Sequence, residues 1–194
     1  MHMCEDCLSL LSLNQWVYPL VRSSPVSDLF AALSYEESLA KLLIHQLKYP
    51  PFLKDLSSQS AFLICAHIAL ARPEQDFSDF VIIPIPLHKR RLKWRGYNHA
   101  EELARQLGRA FSLPVVTDVL VKTKHTTPQA NLGKEKRLAN MKGAFQVRDL
   151  HAVAAKNILL VDDVYTTGAT MDECALVLKK AGANQVLGAV VARG

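Results

Sequence analysis

Two adjacent carboxylates and a hydroxyl-rich turn are the clearest chemical signal in this sequence. Residues 158–170 read Ile-Leu-Leu-Val-Asp-Asp-Val-Tyr-Thr-Thr-Gly-Ala-Thr, and the apolar run at their start predicts a parallel strand that is buried on both faces. Asp162 and Asp163 fall where that strand is expected to end. Because carboxylates accept hydrogen bonds from hydroxyl groups, this pair is suited to hold two neighbouring hydroxyls of a sugar.

The turn after the carboxylates is suited to a phosphate group. Its residues are Thr166, Thr167, Gly168, Ala169 and Thr170. They supply hydroxyl and backbone N–H donors at the start of a predicted helix, and a helix N-terminus attracts anions. Gly168 lets the main chain approach the phosphate closely. The alternative is a strand end that only caps a helix, with Asp163 or Thr167 as the N-cap.

This segment resembles the loop that binds 5-phosphoribosyl-1-pyrophosphate (PRPP) in type I phosphoribosyltransferases. The resemblance implies that Asp162 and Asp163 hold the ribose 2′- and 3′-hydroxyls and that residues 166–170 wrap the 5′-phosphate. It also implies an α/β fold with a mainly parallel sheet flanked by helices, and a ligand at the carboxyl ends of the strands. The expected strands lie near 81–85, 115–121, 157–162 and 185–192, and the expected helices near 98–110 and 169–181.

A cationic segment follows a second short apolar run. Residues 81–87 read Val-Ile-Ile-Pro-Ile-Pro-Leu, and the loop predicted at 88–98 carries five Lys and Arg residues ahead of a helix. Pro-x-Pro-Leu followed by Arg-Gly-Tyr-Asn resembles the ComF/GntX family, a competence-associated branch of the phosphoribosyltransferases with the pattern Arg-Gly-Phe-Asn-Gln. His99 stands in place of that Gln. The resemblance implies a pyrophosphate loop that contains Leu87, His88, Arg95, Gly96 and Asn98. A solvated charged face is the alternative.

A third block, residues 122–145, is polar and cationic and is interpreted as a lid. Its Thr-x-x-Gln, Arg-x-x-Asn and Ala-Phe elements match the ComF pattern. The candidate lid residues are Lys124, Thr126, Gln129, Arg137 and Asn140. We expect residues 124–136 to cover the site when it is filled and to exclude water from it. Taken singly, Gln129 or Asn140 would be a turn residue or a helix cap.

The start of the chain holds one Cys-x-x-Cys pair, Cys4 and Cys7. It resembles the last knuckle of the zinc ribbon found in ComF proteins. Two thiolates and His2 do not complete a tetrahedral site, so bound zinc would need another ligand or a second protomer. Residues 1–28 are therefore interpreted as a tail with a remnant of a ribbon.

Length and composition fit one phosphoribosyltransferase-like domain over residues 29–194, with a hood at about 29–80 and a PRPP-binding core at about 81–194. Within the hood, residues 36–49 predict an amphipathic helix, and Lys48 either projects toward the ligand or is exposed at the helix end. The absence of a long apolar run predicts no membrane span. Four scattered cysteines suggest a reduced, cytoplasmic protein.

Positive charge is concentrated in the middle of the chain. Residues 81–148 carry 14 Lys and Arg against four Asp and Glu, which is more than one pyrophosphate can contact. Single-stranded DNA is the second candidate ligand, and a basic rim around the active site is the alternative. The proposed nucleic-acid patch consists of Lys89, Arg90, Arg91, Lys93 and Trp94.

The resemblance as a whole implies Mg²⁺-dependent transfer of phosphoribose to an acceptor with release of pyrophosphate. Mg²⁺ would be held mainly by substrate oxygens and water. Thr166 stands where the phosphoribosyltransferases that act on 6-oxopurines carry an Asp, which argues against hypoxanthine or guanine as acceptor. The alternative is a PRPP-sensing protein that binds single-stranded DNA, a competence helicase or another DNA-uptake protein. The sequence leaves the acceptor and the oligomeric state open.

Overall fold

A mainly parallel sheet of five strands lies at the centre of the protein. A computed structural model describes residues 10–20, 24–50, 53–126 and 139–194. Within them the strands of the sheet are β1 (Tyr18–Pro19), β2 (Asp28–Ser34), β3 (Phe80–Pro84), β6 (Asn157–Tyr165) and β7 (Gln185–Arg193). Their order in the sheet is β1-β2-β7-β6-β3. β1 is antiparallel to β2, and the other neighbouring pairs are parallel.

The strand β6 is buried on both faces, as its continuous apolar run predicts. Leu159 and Val161 pack into the core on one side of the sheet, and Ile158 and Leu160 pack into the core on the other. Successive side chains of a strand point to opposite faces. Asp162 and Asp163 follow this run and differ in burial: Asp163 is buried, whereas Asp162 is partly exposed.

Helices cover both faces of the sheet. One layer consists of α1 (Ser38–Lys48), α2 (Leu56–Ala71) and α4 (His99–Phe111). The other consists of α5 (Ala169–Lys180) and a separate antiparallel pair, β4 (Leu120–Lys122) and β5 (Phe145–Val147). A short helix, α3 (Lys89–Arg95), follows the carboxyl end of β3. None of the described helices is long and apolar enough to cross a membrane.

The predicted α/β class is confirmed, and most of the predicted elements of the core are present. β3, β6, β7, α4 and α5 each lie within a few residues of their expected positions. β6 is longer than expected, because it continues to Tyr165. The acidic pair therefore lies inside the strand and not after its end.

Two predictions for the middle of the chain were wrong. Residues 115–121 do not form one strand: Val115 makes an isolated parallel bridge to Ile82, and regular pairing resumes only in β4. Residues 88–98 are not a loop throughout, since seven of them form α3. His88 caps this helix by accepting a hydrogen bond from the backbone N–H of Arg90, and Gly96 ends it at φ +82°.

The predicted hood is also corrected, because part of it belongs to the main sheet. β2 pairs in parallel with β7, and its residues 29–33 are fully buried. An apolar strand of this kind needs a layer on each face, and it finds both by joining the sheet.

Four predicted site residues, Cys4, Cys7, Gln129 and Arg137, lie outside the described residues, as does most of the expected lid at 124–136. The zinc and lid predictions therefore stay predictions.

Candidate ligand-binding site

The loops that follow β3 and β6 meet at the carboxyl edge of the parallel sheet. One runs from β3 into α3, and the other runs from β6 into the start of α5. In parallel α/β sheets, ligands bind in the crevice outside this edge. The phosphate turn and the cationic segment that the sequence singled out are thus both at the expected edge.

The turn into α5 is built around Gly168. Its φ of +81° is in the left-handed region, and a Cβ there would lie 2.5 Å from Tyr165 Oη and 2.8 Å from Asp172 Oδ2. Only glycine fits. Gly168 is the N-cap of α5 and, having no side chain, does not itself cap the helix. Backbone N–H groups at a helix start can bind a phosphate.

Thr167 has a buried hydroxyl that finds no hydrogen-bond partner among the described residues. A buried hydroxyl without a partner is costly, and a ligand oxygen is one group that would satisfy it. The geometry of the turn therefore fits the predicted phosphate.

Asp163 is buried and held by two side chains. Lys48 Nζ lies 2.8 Å from its Oδ1, and His99 Nε2 lies 2.5 Å from its Oδ2. Burial alone would raise the pKa of Asp163, but its neighbours His99 and Lys48 hold this pKa well below the usual value. Asp163 is thus a carboxylate whose two oxygens both contact protein groups.

Asp162 has a more open environment than Asp163. Its side chain keeps 16% of its surface exposed, against 3% for Asp163. Its Oδ1 accepts a hydrogen bond from the Asp163 backbone N–H at 2.9 Å and lies 3.8 Å from His99 Nε2. Asp162 is therefore the more accessible of the two carboxylates that the sequence treated alike.

The helix end that supplies Lys48 is fixed by the segment between α3 and α4. Tyr97 Oη donates a hydrogen bond to the carbonyl oxygen of Leu47 at 2.7 Å. The sequence left Lys48 between a ligand-directed and an exposed position. In the structure it pairs with Asp163 and is 27% exposed.

Two residues expected in the pyrophosphate loop are buried within the protein. Arg95 is 7% exposed, and its Nη1 lies 2.5 Å from His99 Nδ1. Asn98 donates to the carbonyl oxygen of Ile85 at 3.0 Å and accepts from the N–H of Ala100 at 3.2 Å, which caps α4. Both side chains stabilise the junction between α3 and α4, whereas the sequence analysis expected them to contact the ligand.

Lys122 is a site residue that the sequence analysis missed. Its Nζ lies 4.0 Å from Met141 Sδ and 5.2 Å from the centroid of the Phe145 ring. Its pKa is lowered to about 8, chiefly by burial and also by Arg91, while Cys174 and Asp162 oppose the shift. No described carboxylate lies within ion-pairing distance of it. A partly buried cation without an anion, close to Asp162, is suited to an anionic ligand.

The base of the expected lid contacts the segment after β3. The rings of His88 and His125 lie 5.1 Å apart in an edge-to-face arrangement. Burial and the neighbouring cations lower the pKa of His88. Lys124 turns away and donates to the carbonyl oxygen of Lys142 at 3.0 Å. The described lid residues thus add one ring contact to the cationic side of the site.

His99, Asp162 and Asp163 could in principle form a metal site, because one potential ligand atom from each lies within 4.8 Å of the others. The contacts argue against it. Lys48 and His99 already occupy the oxygens of Asp163, and a metal ion would have to displace both. Mg²⁺ that arrives with a phosphorylated ligand would instead be held by the oxygens of that ligand and by water.

The sequence matches the phosphoribosyl transferase domain over residues 56–194. Competence protein F of Haemophilus influenzae is 37% identical over 106 residues, which make up 54% of this chain and 46% of that protein. DNA utilization protein YhgH of Escherichia coli is 31% identical over 167 residues, or 86% of this chain and 72% of that protein. Competence protein ComFC of Bacillus subtilis is 35% identical over 103 residues, or 53% and 40%. The chain belongs to the ComF family of phosphoribosyltransferase-like proteins.

The family assignment confirms the resemblance inferred from the sequence. This ComF protein spans 46% of the length of competence protein F and 40% of the length of ComFC. The domain match covers most of the residues described above, including Arg95, His99, Lys122 and the segment 162–170. Lys48 lies ahead of it, on α1.

We predict that Asp162 and Asp163 contribute differently to the free energy of unfolding. Replacing Asp163 with Asn removes the carboxylate that Lys48 and His99 contact in a buried site and should lower the free energy of unfolding by about 3–5 kcal/mol. Asp162→Asn should cost less than about 1 kcal/mol, because this side chain makes no close ion pair. Urea unfolding monitored by circular dichroism measures both. Equal losses of stability would contradict the assignment.

The same difference should appear in the pH dependence of stability. The pKa of Asp163 is lower in the folded protein than in the unfolded chain. Its contribution is therefore complete above the unfolded value, about pH 4, and is lost as the pH falls toward the folded value. Asp163→Asn should flatten the acid limb of the stability profile.

Proposed function

We propose that this ComF protein binds PRPP with Mg²⁺ and transfers its phosphoribosyl group to an acceptor, releasing pyrophosphate. The observation that carries the proposal is the turn at Gly168, which joins the accessible carboxylate of Asp162 to the helix start at α5 and the buried hydroxyl of Thr167. These are a hydroxyl acceptor and a phosphate-binding site in successive positions. The family assignment supports the same reading, and the names of relatives associate them with competence and DNA utilization.

In this proposal, three groups of residues bind different parts of PRPP. The 5′-phosphate binds the N–H groups at the start of α5 and the hydroxyl of Thr167. The ribose hydroxyls donate to Asp162, while Asp163 remains paired with Lys48 and His99. The pyrophosphate lies on the cationic side, near Lys122 and Arg91.

In the proposed reaction the bond between ribose C1 and the pyrophosphate oxygen breaks, and a bond from the acceptor to C1 forms. The electron pair of the broken bond leaves with pyrophosphate, and the acceptor gives up a proton. Positive charge develops on the ribose ring, and the nearby Asp162 carboxylate stabilises it. Bound Mg²⁺ would neutralise charge on the leaving pyrophosphate. Thr166 is neutral and argues against a 6-oxopurine acceptor.

The proposal predicts that PRPP binding depends on Asp162. Removing this charged acceptor should weaken binding by about 1.5–3 kcal/mol. Calorimetry with PRPP and Mg²⁺ on Asp162→Asn measures the loss, and the exposed Asp118→Asn on the same chain is the control. Release of pyrophosphate across a panel of acceptors then tests turnover. Failure of the unmutated protein to bind PRPP would refute the proposal.

A second prediction follows from Lys122. Its charge is present below a pKa of about 8 and lost above it. Pyrophosphate affinity should therefore fall as the pH rises from 7 to 9, by about 1 kcal/mol or more. Arg keeps its charge throughout this range, so Lys122→Arg should flatten the profile. An unchanged slope in that variant would show that another group titrates.

Single-stranded DNA binding is a second candidate function, favoured by the surface of α3. Lys89, Arg90 and Lys93 are exposed on this helix, and Trp94 exposes 58% of its surface beside them. Cations that contact phosphates, with an aromatic ring on which a base stacks, are the usual elements of such binding. Arg91 is only partly exposed, and its charge lowers the pKa of Lys122 and of Arg95. It is therefore assigned to the proposed pyrophosphate side.

If α3 binds single-stranded DNA, affinity should fall steeply with salt and depend little on sequence. Replacing Arg90 and Lys93 with Ala removes two phosphate contacts, so the slope of log affinity against log salt should decrease by about 1.4. Fluorescence anisotropy with labelled oligonucleotides measures the slope. Lys179→Ala and Lys180→Ala, at the far end of α5, form the matched control pair. An equal change in both pairs would contradict a site on α3.

A further inference from the structure

His99 lies between a group that can only donate hydrogen bonds and a group that can only accept them. Arg95 Nη1 is 2.5 Å from its Nδ1, and Asp163 Oδ2 is 2.5 Å from its Nε2. All three side chains are buried, with 7%, 3% and 2% of their surfaces exposed for Arg95, His99 and Asp163. At such a distance a hydrogen must lie between Arg95 Nη1 and His99 Nδ1, while Nε2 faces the carboxylate of Asp163.

We infer that His99 is a neutral imidazole, protonated on Nε2 alone, and that it acts as a positioning residue that links Arg95 to Asp163. The guanidinium of arginine carries five N–H donors, no acceptor, and a proton that it does not lose in proteins. Nδ1 of His99 must therefore accept from Arg95. The single ring proton then lies on Nε2 and is donated to Asp163.

The aspartates on their own favour a charged ring. Burial lowers the pKa of His99, but Asp163 and Asp162 raise it, and the net shift is upward. Protonation, however, would place a second hydrogen on Nδ1, directly against an N–H of Arg95. It would also place two cations 2.5 Å apart in a buried site. Proximity to the carboxylates does not compensate for that contact.

The charges around the ring balance only when it is neutral. The charged groups that face His99 are Lys48 from α1, Arg95 from α3, and Asp162 and Asp163 from β6. Together they carry two positive and two negative charges. Arg91 adds a further positive charge near Arg95. An imidazolium would leave the buried cluster with an excess of positive charge.

The link joins three elements at the carboxyl edge of the sheet. Arg95 ends α3, His99 begins α4, and Asp163 lies near the end of β6. With Asp163 held in this link, Asp162 remains the more exposed of the two carboxylates. The importance of this link for ligand affinity rests on the proposed function. The proton assignment and the effect of the link on stability do not.

Nitrogen-15 NMR of the histidine rings in the full, unmutated chain tests the assignment, with His99→Gln identifying the signal. We expect one protonated nitrogen, Nε2, from pH 6 to 8. In Arg95→Met the donor to Nδ1 is gone, and His99 should become doubly protonated at pH 6, since both aspartates favour the imidazolium. Two protonated nitrogens in the unmutated protein at pH 7 would overturn the inference.

A set of variants tests the positioning role. Gln offers one donor and one acceptor, Lys offers donors only, and Glu offers acceptors only. His99→Gln should keep PRPP affinity within about threefold, whereas His99→Lys and His99→Glu should each lose at least about tenfold. Midpoints of urea unfolding should follow the same order without any ligand.

The two kinds of readout separate this inference from the proposed function. If the unmutated protein fails to bind PRPP while the ring carries one proton and His99→Gln alone keeps full stability, the proposed function is wrong and the link stands. If His99→Lys is as stable as His99→Gln, the link is wrong whatever the protein binds.

Discussion

The site depends on a carboxylate that has been removed from water. Asp163 is 2% exposed, and a buried charge is tolerated only where other groups replace its hydration. Lys48 and His99 do so from two different helices, and Arg95 contacts His99 from a third. The end of α1, the junction between α3 and α4, and the carboxyl end of β6 are therefore brought together by one electrostatic requirement. The ligand-facing groups take their positions from these elements.

Much of the fold could be predicted because the strongest signals are local. The continuous apolar run of β6, the caps at Asn98 and Gly168, and the periodicity of α4 all act within a few residues. What failed depends on distance along the chain or on burial. Lys48 is far from Asp163 in the sequence, and no local pattern indicates that the two residues pair. The sequence treated Asp162 and Asp163 alike, and their difference in burial arises from Lys48 and His99, which come from other parts of the chain. The burial of Arg95 could not be predicted, because charge in a sequence does not indicate burial.

Two residues show what a pattern of residue types can hide. Lys122 was counted with the surface cations of a polar segment, yet it lies against Met141 and Phe145. His99 departs from the pattern that the sequence otherwise follows, in which Gln occupies this position. An amide with one donor and one acceptor and an imidazole with one proton can make the same pair of contacts between Arg95 and Asp163. The departure in residue type thus preserves the hydrogen-bonding function.

The small sheet formed by β4 and β5 has a consequence for the position of Lys122. In the described part of the chain it is a separate sheet and meets the rest of the protein through apolar side chains such as Leu120 and Phe145. The position of Asp162 is set by strand pairing, because it lies opposite Val190 in the ladder of the main sheet. The position of Lys122 relative to it is set by side-chain packing between the two sheets, since they share no strand pairing among the described residues.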